Sequence, residues 1–156
     1  VSRGLGDVYK RQILIDQEGG RVQRLRPPMA RDWPPPLEDG RDLWAEQRAA
    51  HIQSRYQAIA RELRGYGIDV NCAPCLDIAR DETHPILQNR CFSNEAAQVA
   101  VMGAAAAQGL ADEGVLPVLK HMPGHGWRAL TAICSCRGWA PHWLNCARMI
   151  SSLLRL

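Results

Sequence analysis

The alternation of strand-like and helix-like segments in this chain predicts an α/β fold built on a parallel sheet. Three observations carry the prediction. Short strand-like segments lie at Ile13–Ile15, Ile68–Leu76 and Val115–Leu119, two intervening stretches carry apolar residues at helical spacing, and a glycine stands where each helix should stop. Length and composition permit such a fold. With 156 residues, 46% of them hydrophobic, the chain can bury one core and is neither a disordered nor a collagen-like polymer. No run approaches the roughly 18 to 20 apolar residues of a membrane helix, and no apolar signal stretch opens the chain, so no membrane partner is expected.

Taken in order, Ile13-Leu-Ile15 reads as a buried strand that ends at Asp16 and feeds a loop through Gly19-Gly20. Five prolines (Pro27, Pro28, Pro34, Pro35, Pro36) make Arg26–Leu37 an extended connection rather than a helix. From Leu43 to Tyr66 the steps of three and four between Ile52, Tyr56, Ile59, Leu63 and Tyr66 predict a helix packed on one face, stopped by Gly67. Ile68–Leu76 follows as a strand, then a polar loop. A second helix, capped by Ser93, runs through Val99, Met102, Ala106 and Leu110 to a stop near Gly114. Val115–Leu119 is the third strand. Right-handed crossovers would set the three side by side.

Charge and cysteines divide the chain unevenly. The formal net charge is +3, but Val1–Gln12 holds three basic residues and one acid, and the residues after Gly126 hold four Arg and no acid. The stretch between carries 12 basic and 15 acidic residues, which gives no electrostatic case for nucleic acid. Six cysteines, Cys72, Cys75, Cys91, Cys134, Cys136 and Cys146, form no regular disulfide pattern. The Cys72-Ala-Pro-Cys75 pair follows a strand instead of opening a helix, and no second ligand pair stands at zinc spacing. Two buried small hydrophobes are the expected reading.

Polar residues gather at the ends of the expected strands: Asp16 after the first, Asn71 and Asp77 around the second, Lys120 and His121 after the third. A (β/α) barrel and a doubly wound sheet both place sites on that edge. No glycine-rich phosphate loop follows any strand, which argues against nucleotide binding. Two segments carry the chemistry. Asp16-Gln-Glu-Gly-Gly-Arg21-Val-Gln-Arg24 sets two carboxylates and two guanidiniums around a glycine pair, and Lys120-His-Met-Pro-Gly-His-Gly126 sets a cation and two imidazoles on a Pro/Gly loop. Together they favour a pocket for a polyhydroxylated ligand, carboxylates accepting from hydroxyls and cations donating to oxygens. The spacing of His121 and His125 is not that of a helical metal pair, so neither metal nor cofactor is expected.

These two segments, with Asp69-Val-Asn-Cys-Ala-Pro-Cys-Leu-Asp77 and Asn89-Arg-Cys-Phe-Ser93, resemble successive motifs of the family 3 glycoside hydrolases, and more narrowly the bacterial β-N-acetylhexosaminidases of cell-wall recycling. The resemblance covers Ile13 to Gly126. It implies a (β/α)8 TIM-type barrel, here partial and truncated, in a cytoplasmic enzyme that removes terminal β-linked N-acetylglucosamine from muropeptides. It also implies that Asp16, Arg24, Arg90, Lys120 and His121 hold the sugar. The family's nucleophile is a later Asp, and its acid/base is a His in an Asp-Ser-His loop after the Gly-His-Gly segment, a departure from the usual carboxylate pair. The chain continues instead Trp127-Arg-Ala-Leu-Thr-Ala-Ile-Cys-Ser-Cys, so neither catalytic residue is present and the chain as it stands is expected to be inactive.

Both ends read as non-native. Permitted codons for residues 129–138, restarted at the third base, spell Ala-Asp-Ser-His-Leu-Gln-Leu-Pro-Arg, so 127–156 is read as a frame-shifted tail. Ser2–Gln12 back-translates to a transposase-type library adapter, so 1–12 is read as adapter-derived. The expected organisation is therefore 1–12 adapter, 13–126 partial barrel and 127–156 shifted tail. The alternatives are a family 3 β-glucosidase or other exo-glycosidase, or a non-catalytic carbohydrate- or protein-binding module.

Overall fold

The structure is a computed structural model that describes residues 12–122, Gly124 and His125. The expected adapter segment, Gln12 apart, and the expected shifted tail lie outside the described residues. The element order is β1 (Leu14–Ile15), β2 (Gln17–Gly19), β3 (Val22–Gln23), α1 (Ala45–Gly65), β4 (Val70–Asn71), α2 (Pro85–Gln88), α3 (Ala96–Asp112) and β5 (Leu116–Pro117). β1, β4 and β5 form a parallel sheet in that order, with Leu14 opposite Val70 and Val70 opposite Leu116. Parallel neighbours require crossovers. α1 and α3 supply them, so the chain runs β-α-β-α-β, an α/β fold.

The two long helices form where apolar periodicity places them. Ile52, Tyr56, Ile59 and Leu63 of α1 are fully buried, as are Val99, Met102, Ala106 and Leu110 of α3. The backbones approach closely at Gly109, where a Cβ would stand 2.4 Å from the Gln53 carbonyl oxygen, so only glycine fits there. Phe92 meets the Tyr56 ring edge-on at 6.4 Å, and Trp33 and Val115 complete the core. Tyr66, expected on the α1 stripe, is instead 48% exposed at the helix end, its hydroxyl donating to Met29 O. Gly67, at φ +72°, makes the left-handed exit.

Four local expectations are corrected. Leu14 is 56% exposed, so β1 is not a buried strand; among the described residues nothing pairs with its outer edge. Gly19-Gly20 does not lead into a plain loop: both have positive φ, and they turn the chain into the antiparallel β2–β3 hairpin. The second strand shrinks to Val70–Asn71, with a single parallel bridge between Cys75 and Lys120 beyond it. Ser93 does not cap α3. Its Oγ accepts from Glu95 N, and Glu95 is the residue that flanks the first helical turn.

The proline-rich connection is extended as expected, and α1 satisfies it. Prolines offer carbonyls without N–H groups. Arg55 Nη2 donates to Pro34 O at 2.8 Å and to Glu18 O at 2.7 Å, while Arg48 reaches Pro36 O, Asp39 O and Phe92 O. No helix of the described residues is long and apolar enough to cross a membrane.

Candidate active site

The charged residues singled out in the sequence meet at the ends of β1, β4 and β5. The sheet register places them. Asn71, fully buried on β4, donates from Nδ2 to Gln17 O (2.9 Å) and accepts Gln17 N–H at Oδ1 (3.0 Å), which clips the turn after β1 onto the neighbouring strand. Gln17, also buried, closes the hairpin by accepting Arg24 N and Leu25 N at Oε1. The two residues flanking Gln17, Asp16 and Glu18, are thereby held over the strand ends.

Glu18 is the centre of the cluster. Its carboxylate is fully buried and receives Arg90 Nε at 2.9 Å, Arg90 Nη2 at 2.8 Å and Lys120 Nζ at 2.6 Å. Two cations on one buried carboxylate form a charge-assisted fork of the kind a low-dielectric site requires. Lys120 also donates to Asp16 Oδ1 at 2.7 Å, and the Asp16 side chain remains 41% exposed. Burial alone would raise the Asp16 carboxyl. The Lys120 hydrogen bond and charge, with Arg24 and Arg90 beyond, hold it below its ordinary value. Burial likewise works against the Lys120 ammonium, but Glu18 and Asp16 prevail and raise it. Arg24 is exposed at the rim, and Arg21 turns away to donate to Pro85 O.

His121 stands beside this cluster with its own partner. Its Nδ1 lies 2.6 Å from Asp77 Oδ2, and Asp77 Oδ1 accepts the His125 N–H. Burial would lower the imidazole, but the bond to Asp77 and the Cys75 thiol beside it push it up to about 9. Asp77 is held down by His121 and the His125 amide against its own burial. All five expected binding residues therefore share one edge: Asp16, Arg90 and Lys120 are linked through Glu18, Arg24 is at the rim, and His121 is alongside. Glu18 and Asp77, the two buried carboxylates that position them, belong to the polar groups the sequence places at this edge but not to the five residues expected to hold the sugar. Their sequence signal is only their place within Asp16–Arg24 and at the end of the second strand run. A separate cleft of about 370 Å³, between Leu37, Arg48 and Phe92, contains none of these groups.

The family model described as "Glycosyl hydrolase family 3 N terminal domain" matches residues 11–132. The chain is similar to "Beta-hexosaminidase LpqI" of Mycobacterium tuberculosis, 36% identical over 114 residues that cover 73% of this chain and 28% of that protein. It is also similar to a "Beta-hexosaminidase" of Stenotrophomonas maltophilia, 40% identical over 117 residues, covering 73% and 34%. Native NagZ from Neisseria gonorrhoeae superposes with a TM-score of 0.69 at 32% identity over 74% of this chain and 34% of that one. A second structure of that NagZ, at the same TM-score and 30% identity, is a complex with N-trifluoroacetyl-D-glucosamine. The chain spans 28% to 34% of the length of these two curated relatives.

Proposed function

The chain belongs to the family of glycosyl hydrolase family 3 N-terminal domains, and from that premise we propose that it carries the sugar-binding part of a β-N-acetylhexosaminidase active site. The observation that carries the reading is the Glu18 clamp, which fixes Arg90 and Lys120, and through Lys120 Asp16, at one sheet edge beside His121, with donors and acceptors left over among the described residues. Lys120 has three N–H donors, and Asp16 and Glu18 engage two of them. Arg90 gives two of its five N–H groups to Glu18. His121 is held protonated near neutral pH, with Nδ1 on Asp77, so its Nε2–H is a donor. Asp16, ionised and partly exposed, accepts from ligand hydroxyls. A ring bearing adjacent hydroxyls and an acyl oxygen complements this set.

On this reading the α/β unit is part of a (β/α)8 barrel. Support comes from the parallel β-α-β-α-β order and from the exposure of Leu14 and Leu116 on the two outer strands, 56% and 57%. The intact enzyme would be retaining: a carboxylate attacks the anomeric carbon, an imidazole protonates the leaving oxygen, and water hydrolyses the glycosyl-enzyme. Its substrates would be N-acetylglucosaminyl muropeptides met in the cytoplasm during cell-wall recycling. Residues 13–126 would be the family portion, with 1–12 adapter-derived and 127–156 frame-shifted. The chain contains no Asp-Ser-His segment and no acidic residue after Gly126. It would therefore bind without turnover.

Calorimetric titration of the 156-residue chain with N-acetylglucosamine and with glucose tests this. Binding of the N-acetylated sugar, weaker for glucose and lost in Lys120→Met, is expected, together with no release of nitrophenol from a nitrophenyl N-acetyl-β-glucosaminide. Preference for glucose would move the reading to a β-glucosidase. Failure to bind either sugar would overturn the sugar site, and measured hydrolysis would overturn the inactivity.

A further inference from the structure

We propose that Cys75, Asp77 and His121 form a binding site for a thiophilic divalent cation of the zinc class. Each residue contributes one ligand atom, and the three atoms lie within 4.8 Å of one another. Tetrahedral zinc bonds of about 2.0 Å to O and N and about 2.3 Å to S place ligand atoms about 3.3–3.5 Å apart. Cys75 Sγ is already 3.4 Å from Asp77 Oδ2. The 2.6 Å between His121 Nδ1 and the same oxygen must open by roughly 0.7 Å to admit the ion. His121 is the member able to move: its side chain is 26% exposed, whereas Asp77 and Cys75 are buried.

The backbone holds the pair of segments together independently of any ion. Cys75 forms a parallel bridge with Lys120, and Leu76 N donates to Lys120 O, which sets the Cys75–Asp77 stretch against the residue before His121. Ligands on paired backbone segments are more precisely held than ligands on free loops. The carboxylate is oriented as well, since its other oxygen accepts the His125 amide, the kind of outer contact that fixes metal ligands. One thiolate, one imidazole and one carboxylate suit zinc or cobalt and do not suit magnesium or calcium. Three protein ligands leave a fourth position for water. Binding expels the Cys75 thiol proton and the proton shared by His121 and Asp77 to solvent, with no change of oxidation state. Cys75 thus acts without Cys72, against the reading of both as inert hydrophobes.

The test is a titration of the metal-free, reduced 156-residue chain with Co²⁺, read by absorption, with far-ultraviolet circular dichroism on every variant. A thiolate-to-cobalt charge-transfer band saturating at one equivalent is expected. It should persist in Cys72→Ser and in the chain with Cys134, Cys136 and Cys146 all changed to Ser. It should vanish in Cys75→Val, which keeps the buried volume, and need at least tenfold more cobalt in His121→Asn. Zn²⁺ should displace the cobalt and raise the melting temperature of the parent but not of Cys75→Val. Absence of the band, its survival in Cys75→Val, or its loss in the triple serine variant would overturn the site. The readout involves no sugar, so failure here leaves the sugar reading standing and failure there leaves this one.

Discussion

Replacing Glu18 by Gln tests whether the clamp organises the site. The substitution preserves shape and removes one charge. In the parent, that charge is shared by Arg90, through two hydrogen bonds, and by Lys120, through one at 2.6 Å. Neither cation can turn to bulk water: the side chains of Arg90 and Lys120 are 12% and 14% exposed, and Glu18 is fully buried. Removing one partner of such a buried pair costs about 3–5 kcal/mol. Lys120 keeps Asp16 at 2.7 Å, so the lower end, about 3 kcal/mol, is expected, or about 6–12 °C in melting temperature for a domain of this size. Urea unfolding followed by circular dichroism measures it. A double-mutant cycle with Arg90→Met isolates the pair, and a positive coupling is expected because the second loss removes the orphaned guanidinium. A loss below about 1 kcal/mol with no coupling would refute the argument, since that is the range of an exposed ion pair.

Three further outcomes follow from the geometry. Asn71→Ala removes both buried side-chain bonds to the Gln17 N–H and C=O, so a loss of about 2–4 kcal/mol in urea unfolding is expected, with sugar binding weakened because Asp16 and Glu18 lose their tether. Gly19→Ala adds a Cβ at φ +103° against the Arg55 guanidinium and Pro34 O, and should cost at least about 1–3 kcal/mol, measured the same way; a neutral result would mean the hairpin turn is not held as described. Burial would raise the Asp39 carboxyl, but His51 and Arg55 hold it down, so its folded value lies below its unfolded one. Its contribution to stability is therefore complete above about pH 4 and is lost as pH falls through the folded value. Urea midpoints taken from pH 6 to pH 3 should fall less steeply in Asp39→Asn than in the parent.

What could be read from the sequence divides along physical lines. α1 and α3 were legible because a core face repeats every three to four residues over 21 and 17 residues, long enough for Ile52–Leu63 and Val99–Leu110 to register as stripes. α2 was not, because four residues make one turn and contain no period. The β2–β3 hairpin was missed for a related reason: its strands are three and two residues long, and their order is enforced by Gln17 and Gln23 side chains bonding to backbone, which leaves no alternation of apolar and polar residues. The apolar triplet Ile13–Ile15 predicts more burial than β1 has, because it marks what a strand could cover, whereas exposure depends on which neighbours lie across its edge.

The site shows the same division one level up. Asp16, Lys120 and His121 could be read from their place after apolar runs, since side chains past a strand end gather at one sheet edge whatever the details of packing. The division between residues that face a ligand and residues that aim them could not. Asp16 and Glu18 are two carboxylates in one short motif, and nothing local tells them apart. They differ because Arg90, 72 residues later, reaches Glu18 and meets Lys120 there, so that one carboxylate is buried as a fixed charge while the other stays 41% exposed. Asp77 and His121 repeat the arrangement with one cation. Glu18 holds Lys120 and Asp77 holds His121, each buried acid raising its partner against the effect of burial, so ligand binding should respond to Glu18 and Asp77 as strongly as to the groups proposed to touch sugar.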